Sequence, residues 1–238
     1  MASGLLNKAN IILTPTGYKA GKLFNIAPVE EPFDEFNFAR TSTATRINSS
    51  GLISNVATGV PRISYDSNGE NGHWLLEPTS TNLVSYSEDF TQWTKEATVT
   101  LTSNFGISPD GTQNSTRMQM NEDDSIFISS SSGLMASFFV KGTIGETIRL
   151  SNGSATTHTL TGDWDRVEAF DSSSVSSFIS INTYSGATAR DIEIWGAQAE
   201  ALSFATSYIP TNGSTVTRDA ETATGAGSSD LINSTEGV

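Results

Sequence analysis

Carboxylates stand in close pairs at Glu88/Asp89, Asp123/Asp124 and Asp163/Asp165. Glycosidic hydrolysis needs two carboxyl groups facing each other across a sugar, one as acid and one as base or nucleophile. Neighbours in sequence do not face each other for that reason alone. In a chain with 26 acidic and 13 basic residues, solvated surface carboxylates are the plainer account. The two histidines, His73 and His158, have no nucleophile near them in sequence. No G-x-S-x-G elbow, phosphate loop or G-x-G-x-x-G fingerprint occurs. The expectation is a protein that is not an enzyme, with a glycan-cleaving enzyme as the alternative of another class.

The stretch DSNGENGHWLLE places Asp66, Asn68 and Glu70 at alternating positions and Glu77 at the twelfth. That is the oxygen-ligand spacing of a calcium loop. The sixth position is Asn71 rather than glycine, and the flanks read as strands. A polar hairpin turn accounts for the same residues, so no cofactor is expected and structural calcium stays as the alternative. Cysteine is absent, which excludes disulfides, thiolate metal sites and a cysteine nucleophile.

Sugar recognition has more to work with. Sugars are gripped by aromatic faces beside planar polar side chains. The segment SFISINTYSGATARDIEIWG alternates in both halves, which predicts a hairpin. If Ile179, Ile181, Ile192 and Ile194 point into a core, the other face carries Phe178, Asn182, Tyr184, Asp191, Glu193 and Trp195. Asn182, Tyr184, Asp191, Glu193 and Trp195, with Trp93, are the candidate glycan-binding set. The competing reading covers this face with a loop or a subunit, because large exposed aromatics need a reason.

These residues must be held by something, and the composition points to strands. Hydrophobic residues make up only 36% of 238, yet 12 Phe, 4 Trp and 5 Tyr suffice for a core. Short alternating segments recur in ATVTLTS, STRMQM, MASFFVKG, ETIRLSNG and WDRVEAF, separated by Gly/Ser/Asn turns, and no amphipathic helix of three turns is found. The fold class expected is all-β: an antiparallel jelly-roll or β-sandwich preceded by an extended N-terminal arm. The expected divisions are an arm over 1–40, broken by Pro15, Pro28 and Pro32, a short-strand region over 41–85, the jelly roll over 86–215, and a polar tail over 216–238. The tail reads as a linker that either continues beyond Val238 or meets a partner.

A net charge of −13 repels phosphate backbones and anionic lipid, so neither nucleic acid nor a membrane is an expected partner. Three of five lysines, Lys8, Lys19 and Lys22, lie in the expected arm; they either dock it on an acidic partner or are simply solvated. LLNKANIIL is broken by polar residues, so no signal peptide or membrane span is read there.

WLLEPTSTNLVSYSEDFTQW, then ISPDGTQNSTRM, SFFVKG, TGDWDRVEAF and DIEIWGAQAEALSFATSYIPT, in that order, resemble a family of bacteriophage virion proteins. These are tail-fibre, head-fibre and related surface proteins with a jelly roll similar to carbohydrate-binding modules. The resemblance spans about 33–219, since FNFARTSTATRINSSGLISNVATGVPRISYD is also similar to that family's N-terminal portion. It implies a virion structural protein made in the bacterial cytoplasm and displayed on the particle surface. The arm would attach to other virion proteins of the capsid or neck, the chain would form a homotrimer, and the jelly roll would bind host or environmental glycans. A decoration protein that binds no ligand is the alternative. The resemblance also implies that IWGAQ closes the sandwich and that TSYIPT runs back over an edge, with Trp195 and Tyr208 as fasteners. No catalytic residue or ligand set carries over.

Overall fold

The computed structural model describes residues 13–25, 36–130, 135–171, 178–183 and 188–225. Among them the regular structure is β-strand, apart from one turn of 3-10 helix at Phe90–Gln92. The chain divides into two compact units, one formed by 1–79 together with 219–238 and the other by 80–218.

The first unit holds strands β1 (Leu13–Lys19), β2 (Lys22–Asn25), β3 (Phe36–Ala39), β4 (Ala44–Ile47), β5 (Ile53–Val56), β6 (Arg62–Ser64), β7 (His73–Leu75) and β20 (Thr222–Thr224). Three of these strands lie in the stretch expected as an extended arm, and β20 lies in the expected tail. They form one antiparallel sheet in the order β1-β2-β3-β20. Pro15 is tolerated because β1 is an edge strand whose register shifts between Leu13 and Tyr18; a residue that cannot donate to the ladder fits only at such a place. The C-terminal segment is fastened by a buried ion network. Glu221 accepts from Arg40 Nη1 at 2.6 Å, Arg62 Nε at 2.6 Å, Arg62 Nη2 at 2.5 Å and the Glu77 backbone N–H at 3.0 Å.

Residues 65–72 form the turn of the β6–β7 hairpin. Asp66 accepts from the backbone N–H groups of Asn68 and Glu70 at 3.0 and 2.8 Å and from Asn71 Nδ2 at 2.7 Å. Glu77, the twelfth position of the calcium reading, is ion-paired with Arg62 at 2.8 Å instead. Among the described residues no three His, Cys, Asp or Glu side chains converge as metal ligands.

The second unit is an antiparallel β-sandwich. One sheet has the order β10 (Thr100–Thr102), β11 (Thr116–Met120), β18 (Arg190–Glu200), β13 (Met135–Lys141), β16 (Asp165–Phe170). The other runs β15 (Ser154–Thr159), β14 (Thr147–Asn152), β17 (Phe178–Asn182), β12 (Ser125–Ser129), β9 (Thr94–Lys95). The unit's two chain ends, β8 (Ser80–Asn82) and β19 (Val216–Arg218), pair with each other. Met118, Phe138, Val140, Ile192 and Ile194 from the first sheet meet Ile126, Ile148, Leu150, Ile179 and Ile181 from the second in one core.

The four isoleucines therefore face inward as alternation requires, but the expected hairpin does not form. β17 lies between β14 and β12, whereas β18 lies between β11 and β13 in the opposite sheet. Two strands with apolar faces can be buried side by side or face to face. The seven residues between Asn182 and Arg190 suffice to cross the roughly 10 Å between packed sheets. Asn182 consequently points away from the core on one side of the sandwich, and Asp191 and Glu193 on the other.

A bulge in β18 decides what lies outside it. Ile192 and Ile194 face the core, and so do Ala197 and Ala199, so the alternation slips by one residue between them. The slip falls where β13 pairs Phe139 with Trp195 but Ser137 with Gln198, at Gly196, whose φ is +65°. A bulge of this kind places glycine in the left-handed region. Gln198 and Glu200 are thereby turned to the outer face, which Trp195 already shares with Asp191 and Glu193 by alternation.

Candidate functional site

That part of the outer face is covered. Tyr208 packs on Trp195 with ring centroids 4.6 Å apart, and Phe139 adds edge contacts to both. Gln198 Oε1 accepts from the Ile209 N–H at 2.7 Å, and Glu200 accepts from the Thr206 N–H at 2.9 Å. Asn82 Nδ2 donates to the carbonyls of Ala197 and Ile209, at 3.0 and 2.8 Å. The return segment thus lies over the outer face of β18, where the resemblance had implied an edge. Trp195 is 1% exposed and Trp93 4%, so neither offers a ring to a sugar. Trp93 sits in the core against Phe90 and Phe138, its Nε1 donating to the Tyr86 carbonyl at 3.0 Å. Tyr184 lies outside the described residues. Asn182, on the other sheet, donates to Ser151 Oγ and Ser180 Oγ, both at 3.1 Å.

Of the six candidates the structure brings together two, Asp191 and Glu193. They share the outer face of β18 before the bulge. Strand register places Arg117 of β11 and Lys141 of β13 directly opposite Glu193 on its two sides, a row of alternating charge across three strands. Arg117 grips Asp191 with two bonds, Nε to Oδ1 at 2.7 Å and Nη2 to Oδ2 at 2.5 Å. These bonds hold the Asp191 carboxyl below the usual carboxylate range. Lys141 Nζ lies 3.8 Å from Glu193 and its side chain is 42% exposed.

The loop from β10 to β11 completes the site. Phe105 N–H donates to the Ser115 carbonyl at 2.9 Å and Gly106 N–H to Ser115 Oγ at 2.9 Å, while that Oγ donates to Glu193 Oε2 at 2.6 Å. A Cβ on Gly106 would come within 2.2 Å of Glu193 Oε2, so glycine lets the loop pass over the carboxylate without displacing it. The loop carries Phe105 to a point where Arg117 lies 5.0 Å from its ring centre, and the ring stays 45% exposed. Phe105, Arg117, Lys141, Asp191 and Glu193 line an open depression of about 360 Å³. At the loop's other end the Ile107 carbonyl accepts from Trp164 Nε1 at 3.0 Å.

Phe105, Arg117 and Lys141 were missed by sequence reasoning. Phe105 did leave a signal, an aromatic between the turn formers Asn104 and Gly106. Arg117 and Lys141 left none, since cross-strand register is not written in either segment. The histidines take no part in a constellation here: His158 Nε2 is 2.8 Å from the Glu168 carbonyl and His73 Nδ1 3.0 Å from that of Asn71. The paired acids are engaged locally. Asp89 caps the 3-10 helix, Asp124 accepts from the Asn121 N–H at 2.6 Å, and Asp165 accepts from Thr161 Oγ1 at 2.5 Å.

No protein-family profile matches the chain, and no curated protein does. Among solved structures it is similar to the carbohydrate-binding module TmCBM61 in complex with β-1,4-galactotriose, at 13% identity over 60% of this chain and 97% of that one, with a TM-score of 0.31. It is also similar to a family two carbohydrate esterase from Cellvibrio japonicus, at 13% identity over 56% of this chain and 36% of that one, with a TM-score of 0.27. Likeness at these scores bears on neither ligand nor activity.

Proposed function

We propose that the second unit is a non-catalytic glycan-binding module whose site is the outer face of β11, β18 and β13. One observation carries the reading: an exposed aromatic ring, Phe105, stands beside a row of planar and charged groups, Arg117, Asp191, Glu193 and Lys141, in an open depression. A sugar ring offers apolar C–H faces to the first and hydroxyls to the second, and both demands are met within one depression. The depression lies in the roughly 300–1,000 Å³ range of small-molecule sites. Such sites bind weakly one at a time, and multiple copies gain by avidity. The setting we propose is the surface of a bacteriophage particle, with the chain as a homotrimeric virion component attached to its neighbours through the N-terminal region; this setting rests on the sequence resemblance.

The test is a glycan-array screen of the full chain presented multivalently, beside Phe105→Ala and Asp191→Ala variants shown by circular dichroism to be folded. Binding by the wild type that both folded variants lose supports the module and its site. Binding that both retain moves the site elsewhere, and hydrolysis of any arrayed glycan overturns the non-catalytic reading.

A further inference from the structure

Directly beside the Phe105 depression, the same loop borders a second cleft, of about 630 Å³, lined by Glu88, Asp89, Asn104, Asn114, Thr211 and Asn212 among others. Asn104 faces this cleft and Phe105 the depression, and consecutive Cα atoms are only about 3.8 Å apart. The two hollows are thus separated by the width of one loop.

The cleft is a built feature. Glu88 Oε1 accepts from Tyr208 Oη at 2.8 Å, and its Oε2 from Asn114 Nδ2 at 3.3 Å. Asn114 Nδ2 also lies 3.4 Å from Asp110 Oδ2. Carboxylates on both sides of that nitrogen fix the amide's orientation and turn Oδ1 the other way. Asn114 Oδ1 and Thr211 Oγ1 have no hydrogen-bond partner among the described residues, and Thr211 is 93% buried, being 7% exposed. Buried polar atoms without a partner are uncommon and call for one. Burial pushes the Glu88 carboxyl above its ordinary range, against the opposing effect of the Tyr208 bond. Among the described residues no lysine or arginine lines the cleft. It therefore presents hydroxyls, amides and two carboxylates, and no cation to balance an anion.

We propose that this cleft is a second subsite of the saccharide site, taking an uncharged, hydroxyl-rich unit of a chain whose neighbouring unit lies over Phe105. The inference rests on the reading of the Phe105 face as a saccharide site and extends it in two ways, to a chain of at least two units and to neutral sugars. The ionic groups of the Phe105 face are already paired with each other, and the chain as a whole carries −13. A uronate or sialylated chain entering the cleft would meet Glu88 and Asp89 without a counter-charge, a juxtaposition that costs affinity in both approach and docking.

The experiment is calorimetric titration of the full chain with neutral oligosaccharides of one to six units from the best array hit, and with acidic oligosaccharides (oligogalacturonate and sialyllactose). Asn212→Trp fills the cleft at an exposed position; Phe105→Ala removes the platform. The expected result is a rise in affinity of about tenfold, or 1.4 kcal/mol, when the chain grows from one unit to the length that reaches both hollows. Asn212→Trp should abolish that rise while leaving the one-unit affinity unchanged, and Phe105→Ala should weaken binding at every length. Affinity independent of length, a rise that survives Asn212→Trp, or acidic oligosaccharides bound as tightly as neutral ones would each overturn the subsite while leaving the Phe105 site standing. Failure of the wild type to bind any glycan would remove both.

Discussion

Glu221 holds the C-terminal segment of the first unit in place, and replacing it tests the energetic reading of that unit most directly. Its carboxylate is fully buried and takes four hydrogen bonds, three of them from the guanidinium groups of Arg40 and Arg62. In Glu221→Gln the neutral amide offers one acceptor oxygen and turns an NH2 group toward cations. Arg62 keeps Glu77 but loses its principal partner, and Arg40 is left with backbone carbonyls of residues 42, 56, 57 and 60. Removing one member of a buried ion pair costs about 3–5 kcal/mol, because the charge left behind stays desolvated. Taking the lower figure, amide protection in β3, β5 and β20 should fall about 100-fold. Hydrogen–deuterium exchange followed by peptide reads this out strand by strand. The exposed pair Arg117–Asp191 is the internal contrast: its side chains are 33% and 50% exposed, so Asp191→Asn should change stability by less than about 1 kcal/mol. Protection within about threefold of wild type in a folded Glu221→Gln chain would refute the argument, since at 1.4 kcal/mol per factor of ten the network would then contribute almost nothing.

Two further outcomes follow from the sandwich. Gly196→Ala should cost about 2 kcal/mol, because a side chain is strained at φ +65° and its Cβ would press on the Phe139 ring at 3.0 Å. Gly145→Ala, at φ +84° with nothing within 4 Å, measures the strain alone, and equal losses in thermal melts of the two variants would show that the close packing around the bulge adds nothing. The second concerns pH. Burial raises the folded-state pKa of Glu88, so the folded chain holds that proton more tightly than the unfolded one. The resulting stability is fully present below the ordinary carboxylate value of about 4.3 and is lost as pH rises from there through the raised folded value. Wild type should therefore lose stability relative to Glu88→Gln across that window in urea titrations; a constant difference would show that Glu88 is not desolvated.

The amino-acid sequence determined the fold class, many of the strand positions and the inward face of most of them. Alternation is a local property, and Ile179, Ile181, Ile192 and Ile194 obey it whichever strands lie beside them. Where strands pair is not local. The segment 178–195 reads as a hairpin, yet its halves stand in opposite sheets, because burial rewards facing isoleucines as well as adjacent ones. That single decision separates Asn182 from Asp191 and Glu193. The bulge at Gly196 is equally silent in sequence: one residue out of step turns Gln198 and Glu200 outward to hold the segment that lays Tyr208 over Trp195, and makes a fastener of what alternation alone would offer as a platform. The site itself arose from register, which sets Arg117 and Lys141 beside Glu193, and from a loop held on the sheet through Ser115. The sequence supplied the side chains and their faces. Only the tertiary structure chose their neighbours, because neighbours across a sheet are fixed by the whole pattern of long-range hydrogen bonds and buried surface rather than by any one segment.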